Sequence, residues 1–382
     1  MKRYVDIITY GIIVLLVVVA IFYAKYVFSD IPLKTRDIAF ERARVLEITE
    51  EKLNEDPSFP GLFIGHQDIH IEVLSGEFAG NVYPLRNALG RTYNIYVQDD
   101  MEIIVSIYSD RDEVESVVVH SYKRNNVIWW LLAVFVLAVL GVGRMKGLRS
   151  LVSLALTGVA LLCFLVPAVL NGISPIWASI LTAIFSVTAG LYVLNGWSKK
   201  TLAAILGTAA GVIIAGAISY LAGLWANLSG LTMESSEQLM YVADVTGLKL
   251  QGLMFATILI ASLGAIMDVG MGIASSIAEV QRTNVRQSAR ELFSAGMNVG
   301  KDIIGTMTNT LILVFAGGLL TLFLLIAAYG LSYNQVSNMD LLSVEVIQAL
   351  AGSIGIVLTV PVTALSAAVL YFDNSRSKGR RC

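Results

Sequence analysis

Long, nearly continuous apolar runs recur along the chain, separated by short polar connections. An α-helix needs about 20 apolar residues to cross a hydrocarbon core of about 30 Å. We therefore predict an α-helical integral membrane protein with eight spanning helices. The predicted spans are Val5–Phe28, Val127–Val142, Leu148–Leu170, Ile176–Leu194, Thr201–Leu224, Leu253–Ala274, Ile304–Ala328 and Val346–Phe372. The second is short, but Trp129 and Trp130 at its start are typical of an interfacial aromatic belt.

Between the first two spans the apolar pattern changes to a period of two residues. Residues 69, 71 and 73 are apolar and alternate with His70 and Glu72, as in a half-buried strand. Three β-branched and aromatic stretches predict further strands, and residues 39–52 are either a helix or a first strand. We therefore predict a small all-β domain, barrel-like or sandwich-like. Its further strands are Tyr93–Val97, Ile103–Tyr108 and Val117–Tyr122.

Basic residues of the short connections fall almost entirely on one side of the predicted membrane. Fifteen lie on one set of connections, and only Lys249 lies on the alternate set. Cytoplasmic connections carry this excess of Lys and Arg, so both termini are predicted to be cytoplasmic and residues 29–126 extracytoplasmic. The fifteen are Lys2, Arg3, Arg144, Lys146, Arg149, Lys199, Lys200, Arg282, Arg286, Arg290, Lys301, Arg376, Lys378, Arg380 and Arg381.

The predicted organisation has four parts. Residues 1–28 form a signal-anchor helix, which is long for a cleaved signal peptide and lacks a clear cleavage site. Residues 29–126 form the β-rich domain, residues 127–375 a seven-helix membrane domain, and residues 376–382 a basic cytoplasmic tail. Gln287–Gly300 has an apolar side formed by Leu292, Phe293 and Met297, which predicts an amphipathic helix in the inner interface.

Composition narrows the functional classes. Charged residues make up 15% of the chain, whereas soluble domains carry about a quarter, and 56% of the residues are hydrophobic. The net charge of −2 gives no basic surface for nucleic acid. Neither Cys163 nor Cys382 has the surroundings of a catalytic cysteine, and no cofactor motif is present. The expected partners are the lipid bilayer, an unknown small solute or ion, and an envelope protein.

Polar residues recur at helical spacing on two predicted spans. Gly264, Asp268, Gly272, Ser275 and Glu279 share one face of the sixth span, and Asp302, Gly305, Thr306 and Asn309 share one face of the seventh. A carboxylate in hydrocarbon costs about 2.5–3.5 kcal/mol, so it normally pairs, protonates or faces water. The two faces predict a proton- or cation-linked site made of Asp268, Asp302, Thr306, Asn309 and Ser275.

Two structural alternatives remain open for these aspartates. Asp302 could cap the seventh helix, and Asp268 could hydrogen-bond to a neighbouring helix. An intramembrane aspartyl protease is disfavoured, because such enzymes resemble a Gly-x-Gly-Asp pattern and the chain has Gly264 four residues before Asp268. We therefore expect no enzymatic activity.

Three further patterns have mainly structural interpretations. Gly207, Gly211 and Ala215 form a small-residue stripe that favours close helix packing. Pro361 falls inside the eighth span and is a candidate hinge, although a static kink is commoner. His66, Asp68 and His70 alternate along one predicted strand, where they form either a solvated face or a candidate metal site.

Several segments resemble the YibE/F family of bacterial multi-pass membrane proteins. The most specific runs from Gly300 to Leu313 (GKDIIGTMTNTLIL), and it is supported by Gly264–Val269 (GAIMDV), Lys146–Arg149 (KGLR), Lys200–Ala204 (KTLAA), Gly352–Gly355 (GSIG) and Val360–Ala364 (VPVTA). The likeness spans roughly residues 60 to 372. It implies a multi-pass protein of the bacterial plasma membrane, and it names no substrate.

Two functions from different classes fit these patterns. A transporter or permease of unknown substrate explains a polar site between the sixth and seventh spans. Spans three to five begin inside and spans six to eight begin outside, so the two three-helix halves have the opposite topology that inverted repeats require. Alternatively, the chain is a non-transporting scaffold or sensor whose outer domain binds an envelope partner. An anchor needs no buried acid, so transport is the preferred hypothesis.

Overall fold

The fold is given by a computed structural model, which describes residues 2–30, 38–110, 113–228, 236–250, 252–284 and 287–379. The described residues form two compact units. A helical unit comprises the first helix and the residues from 139 onward, and a β unit comprises the described residues between 33 and 138. Each unit has its own apolar core. Residues 380–382 of the predicted basic tail lie outside the described residues.

The β unit is one antiparallel sheet of five strands in the order β3-β2-β1-β4-β5. Both edge strands, β3 and β5, line one groove of about 290 Å³, so the sheet curls towards a half-barrel and does not form a sandwich. The strands are β1 (Ile38–Glu55), β2 (Phe63–Val73), β3 (Val82–Leu89), β4 (Glu102–Asp110) and β5 (Glu113–Tyr122).

The alternation predicted for residues 66–73 is confirmed in β2. Ile69, Ile71 and Val73 are buried, while the residues between them are half-buried on the other face. Residues 39–52 belong to β1, so the helical alternative is wrong. Strand β3 was not predicted, because Pro84 and Asn87 interrupt its apolar pattern.

The predicted strand Tyr93–Val97 is wrong, since this segment makes no ladder with another described strand. Hydrogen bonds from side chains, instead of a backbone ladder, hold this segment against the sheet. Gln67 Oε1 accepts from the Val97 amide at 3.1 Å, and Gln67 Nε2 donates to the Val97 carbonyl at 3.0 Å. Asn87 Nδ2 donates to the Ile95 carbonyl at 2.7 Å. The β-branched residues of this segment are therefore packed as an irregular loop over the core.

Within the described residues, seven helices are long and apolar enough to cross a membrane. The helices are α1 (Lys2–Asp30), α2 (Asn125–Ala160), α3 (Val166–Leu170), α4 (Pro175–Asn195), α5 (Lys199–Trp225), α6 (Ser236–Thr246), α7 (Leu253–Thr283), α8 (Ala289–Gly318), α9 (Leu320–Tyr329), α10 (Tyr333–Ser337) and α11 (Asp340–Gly379), with a π-helical turn, Leu161–Leu165, between α2 and α3.

The α2 segment changes direction at Arg144, whose φ of 48° and ψ of −128° are not helical. A Cβ on Gly147 would stand 2.2 Å from the Val139 carbonyl oxygen. Residues eight apart in a straight helix are separated by about 12 Å. The chain therefore folds back here, at the boundary between the second and third predicted spans.

The α8 helix begins fifteen residues before the predicted seventh span, at Ala289. A capping box starts it: Ser288 Oγ accepts from the Glu291 amide at 3.3 Å, and Glu291 Oε2 accepts from the Ser288 amide at 2.7 Å. The amphipathic helix predicted for Gln287–Gly300 is not a separate element, because residues 289–300 are the first turns of α8. Its apolar side is packed, with Leu292 fully buried and Arg290 exposed. The predicted span also breaks at Leu319, after which α9 begins.

The core of the helical unit joins α4, α5, α7, α8 and α11. Helices α5 and α11 approach closely because glycines of α5 lie opposite threonine hydroxyls of α11. A Cβ on Gly207 would stand 1.7 Å from Thr363 Oγ1, and one on Gly211 would stand 1.7 Å from Thr359 Oγ1. Helix α1 packs on α4 through the rings of Tyr10 and Tyr192, whose centroids are 5.2 Å apart.

Candidate functional site

The polar stripe of α7 lies on its exposed side. Ile266, Val269 and Ile273 are fully buried and fix the inward face of the helix. Asp268 and Gly264 are exposed on the opposite side, and Ser275 is half-buried. Because α7 runs to Thr283, Asp268 is its 16th residue of 31 and lies halfway along it. The carboxylate is therefore far from both helix ends.

The polar stripe of α8 is exposed in the same way. Its buried residues, Leu292, Gly296, Gly300 and Leu311, recur at intervals of four and eleven and define the inward face. The side chains of Asp302, Thr306 and Asn309 are exposed, as is Gly305. Since α8 begins at Ala289, Asp302 lies 13 residues beyond the first residue. The alternative that Asp302 caps this helix is therefore wrong.

Helices α7 and α8 pack against each other beside these stripes. A Cβ on Gly272 would stand 3.5 Å from Ile303 Cδ1, and one on Gly296 would stand 2.5 Å from Ile277 Cδ1. Gly272 is one turn from Asp268, and Ile303 follows Asp302 in the chain. The two exposed polar faces therefore flank one helix–helix contact. We call Gly264, Asp268, Asp302, Gly305, Thr306 and Asn309 the polar face.

The hydroxyls near the polar face are satisfied locally. Thr306 Oγ1 donates to the Ile303 carbonyl at 3.0 Å, and Ser275 Oγ donates to Met271 Sδ at 3.5 Å. The side chains of Asp268, Asp302 and Asn309 make no hydrogen bond or ion pair with another residue that the structure describes. The alternative in which Asp268 hydrogen-bonds to a neighbouring helix therefore has no support among the described residues.

The small-residue stripe and the proline lie elsewhere in the bundle. Gly207, Gly211 and Ala215 are buried in the contact between α5 and α11. Pro361 falls inside α11, between Thr359 and Thr363, whose hydroxyls face Gly211 and Gly207. A hinge at Pro361 would therefore move the surface on which α5 packs.

The β unit brings two of the three candidate metal ligands together with a third that was not predicted. Ligand atoms of Glu50, His66 and Asp68 lie within 4.8 Å of one another. His70 faces a different carboxylate, with Nδ1 at 3.4 Å from Glu47 Oε1. Glu50 could not be predicted from the spacing in β2, because it comes from β1, where it pairs with Asp68.

Cationic side chains already hold both carboxylates of this group. Arg86 makes a two-pronged ion pair with Asp68 at 2.7 and 2.8 Å, and this hydrogen bonding lowers the pKa of the Asp68 carboxyl. Lys52 Nζ lies 2.5 Å from Glu50 Oε1 and lowers the pKa of Glu50 in the same way. A metal ion would have to displace these partners, so the residues fit a metal poorly.

An ion pair between the exposed Arg91 and the buried Asp56 of the β unit was missed by sequence reasoning. The side chain of Asp56 is fully buried and accepts from Arg91 at 2.5 and 3.0 Å, as well as from the Ser58 amide at 2.8 Å. Hydrogen bonding by Arg91 lowers the pKa of Asp56. The two residues are 35 positions apart, so no local pattern could have paired them.

Comparison with known proteins gives one family. A family model described as "YibE/F-like protein" matches residues 131–373, which include both helices of the polar face and leave the β sheet outside the match. No curated protein matches the chain, and no solved structure does. The resemblance seen in the GKDIIGTMTNTLIL segment is thus confirmed over more than half of the chain, which belongs to the YibE/F-like family.

Proposed function

We propose that this chain is a membrane transporter or permease for a small solute or ion, with its site on the polar face of α7 and α8. The observation that carries the proposal is the exposure of Asp268 and Asp302 near the middle of two packed helices, with Asn309 two turns beyond Asp302. In lipid, ionised carboxylates are expensive, and those that persist commonly mark an ion or proton pathway. A polar face that meets water along a transport path avoids this cost.

The chemistry of the face favours a cation or a proton. Two carboxylates supply negative charge, while the Asn309 amide and the Thr306 hydroxyl supply neutral oxygen ligands. Protonation would neutralise Asp268, so the protein could change between its inward-open and outward-open states without moving this charge through the membrane, as a proton-coupled carrier requires. We assign Asp268 the coupling role and the other three side chains the role of solute ligands.

The proposed topology has eight crossings in a bacterial plasma membrane, with both termini cytoplasmic. The reversal at Arg144 supports separate second and third crossings, because it divides a 46-residue helical segment that is too long for one. The fifteen basic residues on alternate connections support the orientation.

The direct test is charge movement by the full-length chain in liposomes on a solid-supported membrane. Rapid jumps in H⁺, Na⁺, K⁺, Mg²⁺, inorganic phosphate and amino-acid mixtures are applied in turn, and the transient current is recorded. We expect a current in the wild type for at least one jump. We expect Asp268→Asn to abolish it, because the amide cannot carry the proton or the charge.

The matched control is Asp244→Asn on α6, which removes an exposed acid outside the polar face. It should leave the current unchanged. Wild-type liposomes that give no more current than protein-free liposomes in every jump would reject transport. A wild-type current that survives Asp268→Asn would reject the assigned role of Asp268.

The groove of the β unit favours the scaffold or sensor as a second candidate. It has Tyr93 and His120 exposed on its lining, beside the buried side chain of Asn87, and this mixed surface suits a protein segment. This candidate predicts that Tyr93→Ala, in the full-length chain, removes a photo-crosslinked envelope protein while Asp268→Asn does not. Crosslinking that is the same in both variants would reject it.

A further inference from the structure

The beginning of α5 lies beside the end of α7. A Cβ on Gly270 of α7 would stand 2.5 Å from Thr208 Oγ1 of α5, and a Cβ on Gly223 of α5 would stand 2.5 Å from Met254 Cε of α7. Later residues of α5 thus meet earlier residues of α7, so the two helices are antiparallel. The same register places Lys200, in the first turn of α5, level with the last turns of α7.

The part of α2 that follows the reversal at Arg144 ends at the same level. A Cβ on Gly190 of α4 would stand 2.8 Å from Ser153 Oγ of α2, and α4 ends at Asn195, just before α5 begins. Lys146 is seven residues, about two turns, before Ser153. Since α4 runs back along this part of α2, Lys146 lies level with the connection between α4 and α5.

Three cations therefore meet at this end of the helical unit, and no acid lies between them. Lys146 and Arg282, in the last turn of α7, are both close enough to Lys200 for their charges to repel it. Within the described part of the chain, neither lysine makes an ion pair, and Arg282 reaches only Glu279 of its own helix, at 3.5 Å. The first turn of α5 has no acidic residue. The positive charge here is uncompensated.

A membrane surface passes through this group of cations. Lys200 is half-buried, and the apolar span predicted for α5 begins at the next residue. Leu148 and Leu202, which follow Lys146 and Lys200 by two residues, expose 43% and 39% of their surface. An anion that also carries hydrocarbon can therefore place its charge at the cations and its chains on the exposed apolar surface of the same helices. A free anion cannot use that surface.

From this arrangement we infer that Lys146, Lys200 and Arg282 bind the phosphate of an anionic phospholipid headgroup. Ammonium and guanidinium groups donate charge-assisted hydrogen bonds to phosphate oxygens. Basic pockets between membrane helices bind lipid headgroups in this way. In the topology proposed above, the lipid belongs to the cytoplasmic leaflet. The site is separate from the polar face, and it does not depend on whether the chain transports a solute.

The first test measures lipid binding to the full-length chain by native mass spectrometry. Phosphatidylglycerol, which is anionic, or phosphatidylcholine, which is zwitterionic, is added in rising amounts to the protein in detergent, and the lipid-bound fraction gives an apparent Kd. We expect phosphatidylglycerol to bind more tightly. Lys200→Gln should weaken its binding about fivefold, and replacement of all three cations by Gln about 100-fold, as the loss of one and three charges near an anionic group implies.

Two controls separate charge from packing. Lys200→Arg keeps the charge and should bind phosphatidylglycerol like the wild type. Lys301→Gln removes an exposed cation of α8, outside the proposed site, and should also bind like the wild type. A loss of binding in Lys200→Arg as large as that in Lys200→Gln would contradict a role of the positive charge.

A competition experiment distinguishes a headgroup from free phosphate. Inorganic phosphate is added to the wild-type chain with phosphatidylglycerol bound, and we expect the lipid to remain. Displacement of the lipid by inorganic phosphate would assign the cations to a soluble anion and overturn the headgroup assignment. Equal affinity for the two lipids, or unchanged affinity in the triple variant, would overturn the site itself. Each of these results would leave the ion currents expected for the proposed transporter untouched.

Discussion

The two units treat polar side chains in opposite ways. In the β unit, the buried side chains of Asp56, Gln67 and Asn87 all have hydrogen-bond partners within the sheet and its loops. In the helical unit, Asp268 and Asn309 are exposed on two candidate membrane helices and have no hydrogen-bond partner among the described residues. An exposed polar group of the β unit can hydrogen-bond to water, whereas lipid offers no hydrogen-bond partner to a polar group on the surface of a membrane helix.

This difference distinguishes the polar groups that stabilise the fold from the polar groups to which we assign a function. A polar group that is bonded inside its own unit contributes to the fold, and its loss should be measured as lost stability. A polar group on a membrane helix that lacks such a partner does not stabilise the fold through a hydrogen bond. Its expected contribution is to function, and the following predictions examine each side of the comparison.

The largest expected effect is at the contact between α5 and α11. In Gly211→Ala the new methyl group would stand 1.7 Å from Thr359 Oγ1, 2.9 Å from Ile266 Cγ2 and 3.0 Å from the Gly355 carbonyl oxygen. Overpacking of this kind costs about 3 kcal/mol at its upper end. We expect a large loss of folded protein in detergent, measured by thermal unfolding. Gly158→Ala, which meets no described atom within 4 Å, should not lower stability.

The polar network of Gln67 should give the next largest effect. In Gln67→Leu the amide and carbonyl of Val97 and the side chain of Asn87 would lose partners, at a cost of about 1–3 kcal/mol. We expect faster hydrogen exchange in residues 93–98 of the full-length chain. The same replacement at Gln98, which is exposed, is the control and should leave exchange unchanged. Equal exchange in Gln67→Leu and wild type would contradict the network.

The ion pair of Asp56 predicts a pH dependence. Arg91 lowers the pKa of Asp56 in the folded chain, so the pair stabilises the β unit above the ordinary carboxyl pKa of about 3.9. That stability is lost as the pH falls through the lowered folded-state pKa. The protection factors of residues 56–62, which correct for the slower intrinsic amide exchange in acid, should therefore fall in acid in the wild type. Asp56→Asn should have low protection factors already at neutral pH, with little further change in acid.

The smallest effect is expected at Arg86, because its ion pair with Asp68 is exposed on the face of the sheet. Exposed pairs contribute little to stability. Arg86→Gln should leave the thermal midpoint within about a degree, while freeing Asp68 beside Glu50 and His66. Zn²⁺ titration should then detect tighter binding than in the wild type. Unchanged binding would mean that Glu50, His66 and Asp68 are not arranged so that they can coordinate one metal ion together.

The sequence predicted those features that depend on local periodicity. The apolar runs located the membrane helices, and the alternation around Ile69 located β2, because each signal lies within one element. Features that depend on pairing between distant segments were missed. Glu50 joins His66 only through the register of β1 with β2, and Val97 is held by side chains 30 residues away.

Helix ends were the other source of error. Leu292 and Phe293 were assigned to an interfacial helix because the segment also carries Arg290, yet the capping box at Ser288 starts one continuous α8. The spacing of Asp268, Asp302, Thr306 and Asn309 placed them on common helix faces, and these faces do flank one contact. Their exposure could not be predicted, since periodicity alone does not say what covers a face.

The most direct measurement is the reactivity of a cysteine at position 268 in intact liposomes. In a chain with Cys163→Ser and Cys382→Ser, Asp268→Cys is treated with a membrane-impermeant maleimide, which reacts with the thiolate that forms where water is present. We predict labelling at least tenfold faster than for Ile213→Cys, an exposed residue of an apolar helix face. Equally slow labelling at both positions would mean that the polar face meets lipid, and it would contradict the proposed site.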